Sequence, residues 1–259
     1  MHIVVIPTWY PTPDNPSSGV FVREQALALR KAGHQVGVLF PTLRSKQELK
    51  HVRNASDVGI EIKRQPGMDL PTYRVRQWGW FPGFLPRANL NLLVNASSQS
   101  FEHYCREQGR PDIIHAHCTV YAGHIASCIR KRKHIPVVVT EHSSSFARER
   151  LPGDQIKIVQ QALQSIDTCV AVSRFLANQL RSISPTVTIE VIENIVDVSF
   201  FRPAQTPLSA EPFRVGAIAG LNANKGFDIL LNAFSQAFKD RAAELYIGGS
   251  GPERQRLQA

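Results

Sequence analysis

The amino-acid sequence predicts an α/β fold built on a parallel sheet, and three observations carry that expectation. Short apolar runs alternate with helical stretches along most of the 259 residues. The runs are apolar at consecutive positions, which is how strands read when helices cover both faces of a sheet. Polar or glycine-bearing turns separate each run from the helix that follows it.

Taken in order, "HIVVIP" is the first strand and "TPDNPSSG" the loop after it. In "VFVREQALALRKAGH" the apolar positions Val22, Ala26 and Leu29 fall at i, i+4 and i+7, one face of a helix. Ser17 or Ser18 is placed to cap its start, Lys31 suits the last turn, and Gly33 supplies a left-handed stop. "QVGVLF" is the next strand. Residues 44–110 are less regular, and no element is assigned there. The alternation resumes with strand "PDIIHAH", helix "VYAGHIASCIRKR" and strand "IPVVVTEHS". A helix near Asp154–Ser165, strand "TCVAVS", helix "RFLANQLRS" capped by Ser173, and strand "TIEVIEN" complete the series.

Residues 1–201 thus form one domain, and 202–212, rich in proline and small polar residues, read as a linker. A second α/β domain starts at 213. "FRVGAIAG" is its first strand, and Phe227, Leu230, Leu231, Phe234 and Phe238 mark the core face of a helix. "AELYIGGSG" is its second strand, and "PERQRLQA" begins a helix with Pro252 at the first position. Two strand–helix units leave a sheet with an open apolar edge, so residues 213–259 read as a partial domain.

Composition narrows the function classes. No apolar run is long enough for a membrane-spanning helix, and Pro7 cuts short an N-terminal run that lacks a basic lead, unlike a signal peptide. Cys105, Cys118, Cys128 and Cys169 show no paired spacing, which suits reduced core thiols and a cytoplasmic location. The net charge of +9 is uneven: residues 1–150 hold 20 Lys and Arg against 11 Asp and Glu, and residues 151–259 hold ten of each. An anionic substrate or surface is therefore expected to meet the first part. No nucleic-acid-binding module is recognisable. The "RKRK" run, Arg130 to Lys133, suits the solvated end of a helix.

In open α/β sheets ligands bind where strands end and helices start, and helix starts favour anions. Four places meet that description: the loop leading to Gly19; Glu141, His142 and Ser143 after "VVVT"; Lys225 and Gly226 after "GAIA"; and "GGSGP", with Gly249 and Gly251. "GLNANKG" is not a Walker A loop, because Lys precedes Gly and no Ser or Thr follows. "GGSGPE" has Arg254 where a dinucleotide fingerprint needs its third glycine, and no GxSxG elbow exists. His115, His117 and Cys118 do not have a zinc-site spacing. On their buried strand at most one of the two histidines is expected to face a cleft, with core packing favoured for both. Arg74, Arg76, Trp78 and Trp80 fit either a membrane interface or a lipid-linked acceptor on one reading, or a packed loop on the other.

Seven stretches, in order and at matching spacing, resemble the GT-B glycosyltransferases of retaining family 4. They are "SSGVFVREQALALRKAGHQVGVL", "PDIIHAHCTVYAGHIA", "PVVVTEHSSSF", "VAVSRFLANQL", "VIENIVDVSFFRP", "NANKGFDILLNAF" and "IGGSGPERQRL". The resemblance implies two Rossmann-like domains, the first binding the acceptor and the second a UDP- or GDP-sugar donor, with no metal and no other cofactor required. It implies that His142 lies against the donor sugar as the catalytic position. Gly19 would contact the donor phosphates or the acceptor, and Lys225, Gly226, Gly249 and Gly251 would belong to the donor site. The acceptor would be a glycan or lipid-linked, and an anionic inner membrane face a peripheral partner. Aligning Leu221 and Lys225 with the family pattern G-R-L-x-x-x-K-G puts Gly220 where an arginine is common. The family's later E-x7-E segment lies outside residues 1–259, so the chain is expected to be an incomplete enzyme.

Overall fold

A computed structural model describes residues 1–44, 61–64, 68–80, 86–143, 146, 151–203 and 212–258. The chain divides into two compact units, 1–196 and 197–259. The expected linker falls largely outside the described residues.

The first unit holds an eight-stranded sheet. Its elements are β1 (His2–Pro7), α1 (Val20–Lys31), β2 (Gln35–Arg44), β3 (Glu61–Arg64), β4 (Thr72–Trp78), α2 (Pro86–Gln108), β5 (Ile113–His117) and α3 (His124–Lys133). Then come β6 (Val137–Glu141), α4 (Gly153–Leu163), β7 (Thr168–Ala171), α5 (Arg174–Ile183) and β8 (Ile189–Val191). The strand order is β3-β4-β2-β1-β5-β6-β7-β8, parallel throughout except that β3 runs antiparallel to β4. Successive residues of β1 serve opposite faces. Val4 and Ile6 pack into the core shared with α2 and α3, and Ile3 and Val5 into the core under α1. That two-sided burial is why the run carries no polar alternation. A third cluster joins α4 and α5 to β7.

Several local expectations need revision. Neither Ser17 nor Ser18 caps α1, because Gly19 stands at the cap in the left-handed conformation and Ser17 bonds to Asn15 in the preceding turn. The stop at Gly33 and the Ser173 cap stand as expected; Ser173 Oγ accepts from the Leu176 amide at 3.2 Å. "TIEVIEN" contributes only three strand residues. The helix expected after β5 begins as a π-turn, Thr119–Gly123, before α3 proper. The stretch left unassigned contains β3, β4 and the longest helix, α2.

The second unit is a parallel pair, β9 (Phe213–Ile218) and β10 (Ala243–Gly248), with α6 (Phe227–Ala237) and α7 (Arg254–Gln258). Pro252 does not open α7 but lies in the turn before it. Leu231, Phe234, Leu245, Ile247 and Leu257, with Arg254 and Gln258, line a hollow of about 560 Å³.

Candidate active site

The strand order turns back between β1 and β5. From β1 the chain crosses to β2 on one side, and from β4 it returns across β1 to β5 on the other. The crevice beyond the C-terminal strand ends at such a point is where open parallel sheets take ligands. Thr8 fastens the two strand ends: its amide, at 3.2 Å, and its Oγ1, at 3.0 Å, both donate to the His117 carbonyl. Gly19 sits against the chain leaving β1. A Cβ there would lie 2.1 Å from the Trp9 carbonyl oxygen, and its φ of +66° is left-handed, so the turn that starts α1 accepts glycine alone. Two residues on, the Phe21 ring meets the His142 ring at 4.6 Å between centroids.

Residues two apart on a strand share a face. That corrects the expectation for His115 and His117. Both project to the same side of β5, with ring centroids 4.3 Å apart; Thr140 of β6 and His142, the residue after that strand, supply their partners. His115 Nε2 meets Thr140 Oγ1 at 2.8 Å, and His117 Nδ1 meets His142 Nε2 at 3.0 Å. The His117 and His142 rings lie nearly parallel, 21° apart. His117 therefore joins the site rather than the core alone.

Glu141 is the other group that the sequence reading underrated. It is completely buried at the end of β6. Its Oε2 accepts from the Thr119 amide at 2.7 Å and the Thr119 hydroxyl at 2.6 Å. Its Oε1 accepts from the His142 amide at 2.9 Å and the Ser143 amide at 2.7 Å. One carboxylate thus ties the turn after β5 to the turn after β6. Between them Cys118 holds φ +72° and ψ 133°, a conformation that strains any residue with a side chain. Its own amide bonds the Thr140 carbonyl at 2.8 Å, and its carbonyl accepts from Gly123 at 2.9 Å. The strain is held by neighbours on both sides.

Burial dominates the electrostatics. It lowers His115 to about 4, helped by His142. It lowers His142 to about 4 against the favourable side chain of Asn194, and His117 well below the usual range. The three rings are neutral near pH 7. An unfolded histidine titrates near 6.5. Above that pH both states are neutral and the stability contribution is complete. As pH falls from 6.5 toward 4 the unfolded chain takes up protons that the folded site excludes. We expect stability to fall across that window, by on the order of 1 kcal/mol per pH unit for His115 and for His142, with His117 acting in the same direction. Urea midpoints measured from pH 7 to 4.5 test this; a flat profile contradicts a neutral triad.

In the second unit, Lys225 ends a 3₁₀ turn, Ala223–Lys225, and Gly226 with φ +68° starts α6. The Lys225 side chain is exposed and forms no ion pair among the described residues. Gly249 and Gly251 serve backbone packing: a Cβ would lie 2.0 Å from the Ala219 carbonyl oxygen at one and 2.3 Å from that of Leu221 at the other. The Leu221 amide donates to the Ser250 carbonyl at 2.8 Å, closing the two strand-end loops on each other. The structure therefore gathers Lys225, Gly226, Gly249 and Gly251 at one end of the β9–β10 pair, and Gly19 and His142 at one end of the larger sheet.

The tryptophan–arginine segment is not a loop through Trp78. Arg74, Arg76 and Trp78 belong to β4, and Trp78 is 2% exposed, with the Arg44 guanidinium 5.2 Å from its ring centroid. That ring does not face solvent, whereas Trp80 is 43% exposed. Residues 81–85 lie outside the described set. No described helix is long and apolar enough to cross a membrane.

Solved structures share this architecture. HepE of Anabaena, crystallised with UDP and glucose, matches with a TM-score of 0.63 at 14% identity, covering 98% of this chain and 63% of its own. The catalytic domain of starch synthase IV from Arabidopsis thaliana, bound to ADP and acarbose, gives a TM-score of 0.58 at 15% identity, covering 100% of this chain and 70% of that one. At such identities the likeness defines the fold, an α/β fold of the GT-B type. Among sequences, TuaC of Bacillus subtilis (strain 168), whose name assigns it to the glycosyltransferases of teichuronic acid biosynthesis, is 27% identical over 190 residues, 71% of this chain and 47% of TuaC. This chain spans about half the length of that relative. The profile of Glycosyltransferase Family 4 matches residues 18–200, and the chain belongs to that family.

Proposed function

We propose that this chain carries the acceptor side and part of the donor side of a retaining glycosyltransferase. It moves a sugar, of the hexosyl type, from a UDP- or GDP-sugar to a glycan or lipid-linked acceptor. The observation that carries the reading is the placement of His142 at the switch point of the larger sheet, packed on the helix that Gly19 starts. Structural neighbours lend support: HepE was solved with UDP and glucose, and an E. coli protein of the same fold with UDP-2-fluoro glucose.

Cleavage of a sugar–diphosphate bond develops negative charge on the leaving oxygen. In this reading Lys225 and the free N–H groups at the start of α6 take up that charge, in place of a metal. The acceptor hydroxyl attacks from the face the diphosphate leaves, which keeps the anomeric configuration. Gly220 provides no second cation, so Lys225 bears more of the charge match. On the acceptor side, Trp80 rather than Trp78 is the aromatic free to meet a lipid-linked substrate or an anionic membrane face.

Calorimetric titration of the protein at its native length with UDP- and GDP-sugars tests the proposal. Saturable binding of at least one, followed by transfer with retained configuration, is the expected result. No binding of any nucleotide sugar would overturn it.

A further inference from the structure

We propose that Trp9 and Tyr121 take a neutral pyranose ring of the acceptor, by stacking against its C–H face. Calling that ring the acceptor rests on the sugar-transfer reading above; its binding at this place does not.

Three observations lead there. First, among the described residues of the first unit the exposed aromatics are Trp9, Trp80, Tyr121 and Phe175. They follow the carboxyl ends of β1, β4, β5 and β7 in turn, and none lies at the opposite edge of the sheet. Scattered singly, such residues need no explanation; gathered on the edge where open sheets take ligands, they do. Second, Trp9 and Tyr121 belong to the two strands of the switch point, which are neighbours, with Pro7 of β1 in register with His117 of β5. Trp80 and Phe175 follow β4 and β7, each two strands farther out, roughly 10 Å away. Third, residues 8–13 and 118–123, the chain leaving those two strands, contain no charged side chain. The positive excess of residues 1–150 lies elsewhere, and the place suits a neutral ligand rather than a phosphate.

Both rings are carried on backbone that is held in place. Before Trp9, Thr8 donates twice to the His117 carbonyl; after it, the Tyr10 ring is buried against Phe40. The Trp9 carbonyl itself abuts Gly19. Tyr121 sits in the π-turn whose first residue, Thr119, is bonded twice to Glu141. A held aromatic side chain with two torsions loses little freedom on binding. Yet Trp9 stays 45% and Tyr121 36% exposed, so each ring leaves apolar surface in water. A pyranose offers what such a surface lacks: a patch of C–H groups, with hydroxyls around the ring that keep their bonds to water. The C–H hydrogens meet the negative face of the aromatic system, and water leaves both surfaces.

Trp9, Trp78 and Trp80 each give an indole N–H signal in a proton–nitrogen spectrum, and Trp9→Phe identifies that of Trp9. The probes are methyl glycosides of glucose, galactose, mannose and N-acetylglucosamine, added singly to the protein at its native length. At least one is expected to shift the Trp9 signal saturably while those of Trp78 and Trp80 stay in place. Saturation transfer to the glycoside reads affinity in the variants. Trp9→Ala and Tyr121→Ala should each weaken binding about threefold to tenfold, and Trp9→Phe should keep most of it. Binding of no glycoside, binding that leaves the Trp9 signal in place, or unchanged affinity in either alanine variant overturns the proposal. So does farnesyl phosphate moving the Trp9 signal where no glycoside does, which would make these rings a lipid site. Should an alanine variant fail to fold, the wild-type titration decides alone. Nucleotide-sugar binding with no glycoside binding would sink this proposal and leave the functional reading. A glycoside on Trp9 with no nucleotide-sugar binding would do the reverse.

Discussion

Replacing Glu141 with alanine is expected to destabilise the first unit by about 3–5 kcal/mol, the range for breaking a buried charged hydrogen-bond network. The carboxylate accepts four hydrogen bonds from three residues, and it is completely buried. Alanine leaves the amides of Thr119, His142 and Ser143 without that acceptor, together with the Thr119 hydroxyl. It also frees the turn that keeps Cys118 at φ +72°. Relief of that strain returns on the order of 1–3 kcal/mol, which tempers the loss without reversing it. For a unit of this size the melting temperature should fall by about 6–20 °C. Glu141→Gln keeps the shape and one carbonyl, but turns an NH₂ group toward amide donors. It should fall between wild type and alanine. Calorimetric or urea unfolding of the three proteins checks the order. An alanine variant within about 0.5 kcal/mol of wild type, the range of an ordinary surface change, would show that the two turns hold themselves.

Lys225→Ala is expected to weaken nucleotide-sugar binding about tenfold to a hundredfold, while leaving stability within about 0.5 kcal/mol. The two halves of that prediction have separate causes. Lys225 is exposed and its side chain has no ion pair among the described residues, so the fold loses little with it. A charge-assisted hydrogen bond to phosphate is worth about 1.5–3 kcal/mol, and the start of α6 adds its own preference for anions at the same place. Because Gly220 has no side chain, no second cation at that position shares the load. The loss should fade as salt rises, since part of the attraction is screened. Lys225→Arg should retain binding. Equal affinities for wild type and the alanine variant would mean that the turn at Lys225 does not meet the diphosphate.

The fold was legible where local chemistry and burial agree. Strands β1, β5, β6 and β7 are short, mostly apolar runs because helices cover both sheet faces, with polar residues such as His117 and Glu141 falling at the strand ends. Helix α2 was not legible for the opposite reason. It is rich in Asn and Ser, residues that compete with helix hydrogen bonding. The structure shows how they are accommodated: Ser97 and Ser98 hydroxyls donate to carbonyls four residues back, at 2.7 and 2.9 Å. Strand β4 alternates arginine with apolar residues because it lies beside the antiparallel edge strand β3, and that alternation reads equally well as a surface loop.

The candidate site divides along the same line. Gly19, His142 and Lys225 could be singled out from the sequence, since each stands at a strand-to-helix junction that the residues on either side define. The turns themselves are local, so local sequence suffices. His117 and Glu141 owe their parts to contacts that no local pattern encodes. His117 meets His142 across 25 positions, and Glu141 meets Thr119 across 22. Pairing of β5 with β6 in the register His117↔Thr140 brings these residues together. A one-residue slip would turn the histidines of β5 away from their partners, because side chains on a strand alternate between faces. Tertiary register, set by the buried apolar residues of both strands, is the physical step that brings the histidines together in the candidate site.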